Sequence, residues 1–382
     1  MKQAYIVAAA RTPVGKAPRG QLSEVRPDEL AAAALAGCLA RVPAAVKEQI
    51  DDVILGCAFP ELEQGWNIAR TAAVRAGIPV RTPAMTVNRF CSSGLQTVAL
   101  AAGEIMAGGA DAVLAGGVES MSTVPLGGLK QCPNPYLVGH YPDYYLSMGL
   151  TAEEVAKRYG ISREKQDDFA FQSYLKAEAA VANGIFRAET VPVEVRRAGR
   201  AATVSDDEIK KAVTREGLAK LKPVFMAGGT VTAANCSQTS DGAAALLVMS
   251  DKLVKATGVK PLLILRSFAV VGVEPAVMGI GPIEAIPKAL RQAGLTVGDI
   301  GLIELNEAFA AQAVACIEQL GLDPAIVNVN GGAIALGHPL GCTGAKLATS
   351  LAYEMRRRGV KYGIVSMCIG GGMGAAGVFE AV

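Results

Sequence analysis

Ile50-Asp51-Asp52-Val53-Ile54 and Ile300-Gly301-Leu302-Ile303-Glu304 read as one element written twice, 250 residues apart. At the same offset Cys57-Ala58-Phe59 is matched by Glu307-Ala308-Phe309, Cys91-Ser92-Ser93-Gly94 by Gly341-Cys342-Thr343-Gly344, and Gly109 by Gly359. Chance matches scatter over many offsets, whereas these fall on one. The chain therefore contains two similar halves, with a unit far too long for a solenoid.

Each half alternates strands with helices. In the first, strands are expected at Met1–Val7, Asp52–Leu55, Ala84–Val87 and Ala112–Ala115, with helices at Pro27–Ala40, Gly65–Ala76 and Gly94–Ala107. In the second, helices are expected at Pro282–Gln292, Ala308–Gln319 and Gly344–Arg357, and strands at Gly301–Glu304, Ile326–Val329 and Tyr362–Ser366. Such alternation means an α/β fold with parallel sheets covered by helices, here two sheets around shared buried helices. The first half spans residues 1–118 and resumes at about 241–266. Residues 119–240 form an insertion that carries most of the charge runs and one helix, Arg163–Ala182, and residues 267–382 form the second half. An insertion of that size is a natural substrate-binding surface.

Composition narrows the function classes. At 382 residues the chain exceeds one ordinary core, so two or three domains are expected. It is 51% hydrophobic but only 5% aromatic, with 43 glycines, so small apolar residues build closely packed layers. A net charge of +2 supplies no global field for nucleic acid or membrane. No apolar run is long enough for a membrane span, and the N-terminus reads as a strand rather than a signal peptide, so a soluble cytoplasmic protein is expected. Eight cysteines without a Cys-x-x-Cys pair and only two histidines argue against a metal site.

One cysteine stands out. In Asn88-Arg89-Phe90-Cys91-Ser92-Ser93-Gly94 a strand ends and a helix begins. Cys91 is thus expected at a helix N-terminus, where free N–H groups can lower a thiol pKa below its usual ~8.5. A buried capping cysteine is the plain alternative. A nucleophile needs a base. His140 lies in the insertion and reads as a loop residue. His338, in Gly337-His338-Pro339, is equivalent to Asn88 at the repeat offset, which brings both loops to one site. Asn306-Glu307-Ala308-Phe309 and Cys368-Ile369-Gly370-Gly371-Gly372 follow further strands. The glycine run lacks a nucleotide-binding pattern and reads as an oxyanion-type loop.

Together with Gly-Gly-Val-Glu119-Ser-Met-Ser and Met148-Gly-Leu-Thr-Ala-Glu, these motifs resemble the thiolase family along essentially the whole chain. The resemblance implies a thiolase fold: two βαβαβαββ halves in a layered αβαβα core with an inserted loop domain. It implies Cys91 as the acylated nucleophile, His338 as its base and Cys368 as the acid/base at the substrate α-carbon. Asn306 with His338 would form one oxyanion hole, and the N–H groups of Cys91 and Gly370 the other. Met148 would line the thioester pocket, Ser237 would contact pantetheine, and Lys222 would lie against adenine where relatives often carry arginine. A solvated lysine is the alternative for Lys222. Substrates would be coenzyme A and acyl-CoA, without a cofactor, and the assembly a homodimer or homotetramer.

Ser147 stands where biosynthetic acetoacetyl-CoA thiolases often carry histidine. With the Cys-Ser-Ser-Gly form, that favours the 3-ketoacyl-CoA thiolases of fatty-acid degradation over acetyl-CoA C-acetyltransferases. Two rival readings are a ketosynthase-like condensing enzyme and a non-catalytic lipid- or CoA-binding protein. Asn306 with Cys368 argues against the first, and retention of all four chemical positions against the second.

Overall fold

The structure is a computed structural model that describes residues 3–197 and 200–382. The first half runs β1 (Ala4–Arg11), β2 (Gly15–Lys16), α1 (Pro27–Leu39), β3 (Asp52–Gly56), α2 (Ile68–Arg75), β4 (Ala84–Val87), α3 (Ser93–Ala107) and β5 (Ala112–Ser120). The intervening segment holds α4 (Pro135–His140), α5 (Met148–Tyr159), α6 (Arg163–Ala182), β6 (Val193–Arg197), β7 (Arg200–Val204) and α7 (Arg215–Ala219). Then come β8 (Ser240–Ser250), α8 (Asp251–Thr257), β9 (Leu263–Gly272), α9 (Gly281–Ala293), β10 (Leu302–Leu305), α10 (Ala310–Leu320), α11 (Ala333–Leu336), α12 (Leu340–Arg358), β11 (Tyr362–Ile369) and β12 (Met373–Ala381). Met1 and Lys2, the start of the first expected strand, lie outside the described residues.

Three apolar clusters define the layers. One joins α1 and α2 to one face of the first half's strands. A second buries α3 and α12 between the strands of both halves. A third joins α9 and α10 to the outer face of β10–β12. The result is an αβαβα stack. The middle layer explains the small-residue composition. Along α12, Gly341, Gly344, Ala345, Ala348 and Ala352 are buried, because this helix lies between strands of the two halves. Burial of the middle cluster at roughly 25 cal/mol per Å2 of apolar surface is what fastens the halves together.

The strands differ from expectation in two ways. The strands of the two halves form one hydrogen-bonded sheet of ten rather than two, ordered β10-β11-β12-β9-β1-β8-β5-β3-β4 with β2 beside β8, and β6 and β7 pair separately. The halves meet through two residue pairs of β1 with β9, Tyr5–Ile264 and Ile6–Leu263. The sheet is also mixed: β3–β4, β3–β5 and β10–β11 are parallel, whereas the centre is antiparallel. Because β9 pairs with β12 from Leu263 onward, the expected boundary at 266/267 falls inside a strand.

The repeat is least regular before His338. Residues 326–329 make only one bridge, Val327 with Ile303. Asn328 there adopts φ +45°, which ends extended pairing. Its side chain substitutes for the ladder: Oδ1 accepts from Leu305 N at 2.8 Å and Nδ2 donates to Leu305 O at 2.8 Å. The chain then forms α11 instead of running straight to the helix that follows.

Candidate active site

The Cys91, Asn306 and Gly370 loops follow β4, β10 and β11 at the ends of parallel strands, where open α/β sheets bind ligands, whereas His338 follows α11. Cys91 lies in a single 3-10 turn, Phe90–Ser92, between β4 and α3. Phe90 adopts φ +42°, a conformation a bulky residue tolerates only when its surroundings hold it there. The turn places Cys91 in an apolar cluster with Ala58, Met121 and Leu340, against which Phe59 and Phe90 pack. Helix-terminus reasoning predicts a lowered thiol pKa, and the structure shows the opposite. Burial pushes Cys91 up to about 11, against the opposing pull of the Gly370 and Cys91 N–H groups, while the Glu119 charge adds to the rise. Cys91 is therefore a protonated thiol at rest and needs a base.

Cys368 ends β11 and is fully buried. Burial, with Cys91 and Cys316 as neighbours, holds its thiol well above the usual range. It shares an apolar cluster with Met278, Phe309, Ala308 and Met148. Gly370 completes this group: a Cβ there would stand 3.6 Å from Met148 Sδ and 4.0 Å from the Phe90 ring. Cys91, Cys368, Gly370 and Met148 thus converge.

His338 starts the loop into α12. Its N–H donates to Gln238 O at 3.1 Å and Ser240 Oγ at 3.2 Å. Ring Nδ1 lies 2.5 Å from Thr343 Oγ1, and Nε2 lies 3.3 Å from Asn306 Nδ2. Thr343 Oγ1 also donates to Pro339 O at 2.9 Å, which commits its proton. Nδ1 then carries the ring hydrogen, and Nε2 offers a lone pair to the Asn306 amide. Burial, helped by the Lys346 charge, lowers the ring pKa to about 3, so His338 is neutral. Asn306 is anchored by its N–H to Ser366 O at 2.9 Å, and its Oδ1 is buried without a protein partner. An acceptor so placed suits binding of a water, which can donate to it.

The remaining expected residues divide. Ser237 N donates to Ala308 O at 2.9 Å, and the adjacent Cys236 bridges to Phe309, so this segment lies against the Asn306 loop. Lys222 is exposed and makes no hydrogen bond to the other candidate residues. His140 is exposed and stacks on Tyr136.

The sequence motif that contains Glu119 does not disclose what this residue does. Fully buried at the end of β5, it accepts from Ala58 N (2.8 Å), Phe59 N (3.2 Å), Gln64 Nε2 (3.1 Å) and Gly341 N (2.8 Å). One carboxylate therefore ties the loop after β3 to the first turn of α12, behind Cys91. Glu307 acts similarly between Ser173 Oγ (2.7 Å), Asn328 Nδ2 (2.8 Å) and Ile334 N (3.2 Å). The legible signal for both was an acidic residue beside apolar strand sequence, since such residues are buried only with partners.

Comparison with known proteins agrees with this geometry. Residues 4–252 match the family described as Thiolase, N-terminal domain, and residues 259–381 match Thiolase, C-terminal domain. A 3-ketoacyl-CoA thiolase of Bacillus subtilis is 55% identical over 390 residues, covering 100% of both chains. The crystal structure of human mitochondrial 3-ketoacyl-CoA thiolase superposes with a TM-score of 0.92 at 40% identity, covering 100% of this chain and 99% of that one. That of Bacillus anthracis acetyl-CoA acetyltransferase gives 0.92 at 39% identity, with the same coverage. The chain belongs to the thiolase family.

Proposed function

We propose that this chain cleaves 3-ketoacyl-CoA with coenzyme A, giving acetyl-CoA and a shortened acyl-CoA, through an acyl group carried on Cys91. The observation that carries this reading is the meeting of two buried thiols, Cys91 and Cys368, with Leu340 of the His338 loop in the same cluster as Cys91. Cys91 gives its proton to His338 Nε2 and its sulfur attacks the keto carbon. The bond between that carbon and the α-carbon breaks. The departing acetyl-CoA enolate takes the Cys368 proton, so a thiol protonated at rest suits cleavage. Coenzyme A then gives its thiol proton to the Cys368 thiolate and attacks the acyl-Cys91 thioester. The Cys91 sulfur leaves and recovers its proton from His338, which restores the starting state. The N–H groups of Cys91 and Gly370 would hold one developing oxyanion, and Asn306 with His338 the other, each a contribution of about 3–4 kcal/mol.

The same groups run in reverse would join two acetyl-CoA molecules, and the likeness to an acetyl-CoA acetyltransferase supports that second reading. Incubation with a 3-ketoacyl-CoA and intact-mass analysis should find an acyl adduct that Cys91→Ser abolishes. Wild-type protein without an adduct would sink the proposal. Turnover of the four-carbon substrate alone would favour the second reading.

The reading includes Met148 and Ser237 as coenzyme A contacts, with Lys222 as a peripheral one, and no cofactor. It includes a homodimer or homotetramer, supported by the open edge of β4, where Met85 is exposed and Asn67, next to fully exposed Trp66, bonds Ala84 O at 2.9 Å. A cytoplasmic location is supported by eight unpaired cysteines, which suit a reducing compartment. No helix among the described residues is long and apolar enough to cross a membrane.

A further inference from the structure

Positions 93 and 343 are equivalent in the repeat, and each carries a hydroxyl turned back on the loop before its helix. Ser93 Oγ accepts from Arg89 N at 2.9 Å and donates to Phe90 O at 2.7 Å, which braces the Cys91 turn. Thr343 Oγ1 donates to Pro339 O and meets His338 Nδ1. One turn further along each helix, positions 96 and 346 are again equivalent. Gln96 Oε1 accepts from Arg89 Nε at 2.7 Å, and Lys346 Nζ donates to Gly337 O at 2.9 Å. Both halves thus use the same two helix positions to hold the preceding loop.

In the second half these positions are buried. Thr343 is fully enclosed and Lys346 is 4% exposed. A lysine in such a place is costly unless compensated. It faces Arg11 on β1, Asp207 from the inserted segment, Glu304 on β10 and Cys342 on its own helix. Its hydrogen bond falls on the residue before His338. Gly337 has φ +84°, and a Cβ there would lie 2.3 Å from Ser240 Oγ, so the backbone that aims His338 is tightly constrained.

We infer that Thr343 and Lys346 are positioning residues that hold His338 in one ring orientation as the Nδ1–H tautomer, so that Nε2 is the basic nitrogen and takes the Cys91 proton by giving up its 3.3 Å contact with Asn306 Nδ2. The inference rests on His338 being the base of the proposed reaction. With its own proton on Pro339 O, Thr343 can only accept from His338, so a flipped ring would lose that bond. Burial keeps the ring neutral, and the charge of Lys346 adds to that by opposing a second positive charge beside it.

The test is steady-state thiolysis of a medium-chain 3-ketoacyl-CoA across pH by Thr343→Val, Thr343→Ser and Lys346→Met, beside His338→Ala. Thr343→Val keeps the side-chain shape and should lower kcat about 100-fold with KM within about twofold, as misplacement of a catalytic group does. Thr343→Ser should restore most of that loss. Lys346→Met should move the acid limb of kcat/KM to higher pH. Wild-type kcat and pH profile in Thr343→Val, with His338→Ala inactive, overturn the positioning role and leave the base intact. Full activity in His338→Ala overturns the base reading and this inference with it. Should Lys346→Met fail to fold, the two Thr343 variants decide.

Discussion

Gly94 and Gly344, equivalent in the two halves, meet where α3 crosses α12: a Cβ on Gly344 would lie 2.2 Å from Leu95 N, and one on Gly94 would lie 2.6 Å from Ala345 N. The obstacles are backbone atoms, which no rotamer change can move aside. This crossing sets the separation of the first turns of both helices, and hence of the Cys91 and His338 loops. Gly344→Ala should therefore cost about 3 kcal/mol or more, or give insoluble protein. Gly103→Ala, on α3 with nothing within 4 Å of its Cβ, should instead stabilise by about 0.5–1 kcal/mol. Denaturant unfolding of both variants checks the contrast, and equal effects would refute it.

Asn306 offers its amide to His338 Nε2 and keeps a buried Oδ1 without a protein partner. Asn306→Ala should lower kcat by about 100- to 1,000-fold, the usual effect of losing one oxyanion donor. Alkylation of Cys91 by iodoacetamide should stay near the wild-type rate, because Asn306 is not the group that takes the thiol proton. A parallel loss of alkylation would assign Asn306 to thiol activation instead.

Stability should fall on both sides of neutrality. Burial holds Cys38, Cys316 and Cys342 up at about 12 and Cys91 at about 11, against an ordinary 9.0. The unfolded chain releases these protons first, so their stabilisation is complete below pH 9 and is lost as pH rises towards 12. His338 has the opposite sign. Its pKa of about 3, against 6.5, makes its contribution complete above pH 6.5 and lost as pH falls towards 3. Denaturant midpoints at pH 5, 7 and 10 test this. In His338→Gln the acid-side decline should be shallower, and an unchanged slope would contradict the assignment.

Glu304 is buried on β10, and burial with the nearby Glu189 charge raises its pKa to about 8. The unfolded carboxyl ionises near 4.5, so this group costs stability progressively as pH rises from 4.5 to 8. Glu304→Gln should stabilise the protein at pH 8, on the order of 1–3 kcal/mol, and have little effect at pH 4. Destabilisation at pH 8 would mean that Glu304 is held ionised by Lys346 or Arg11.

Much was legible because it is local or repeated. The 250-residue offset, the strand–helix alternation and helices such as Arg163–Ala182 are periodic patterns that tertiary contacts later reinforce. The candidate loops were equally plain, since each carries a distinctive residue type and all but the His338 loop follow a strand. What failed depended on distant neighbours. A strand expected at 326–329 is replaced by the Asn328 side chain bonding Leu305, and two expected sheets are joined by two residue pairs of β1 with β9.

The cysteine that sequence context singled out shows the division most clearly. By itself the sequence determined that Cys91 stands between a strand and a helix and that His338 returns at the repeat position of Asn88. Only the tertiary structure decided that burial outweighs the helix end and keeps the thiol protonated, that Thr343 and Lys346 grip the histidine loop, and that Lys222 lies in solvent. Periodicity and motif spacing follow from the order of residues along the chain. Burial, charge and hydrogen-bond partners are sums over atoms brought together from both halves, and only folding supplies them.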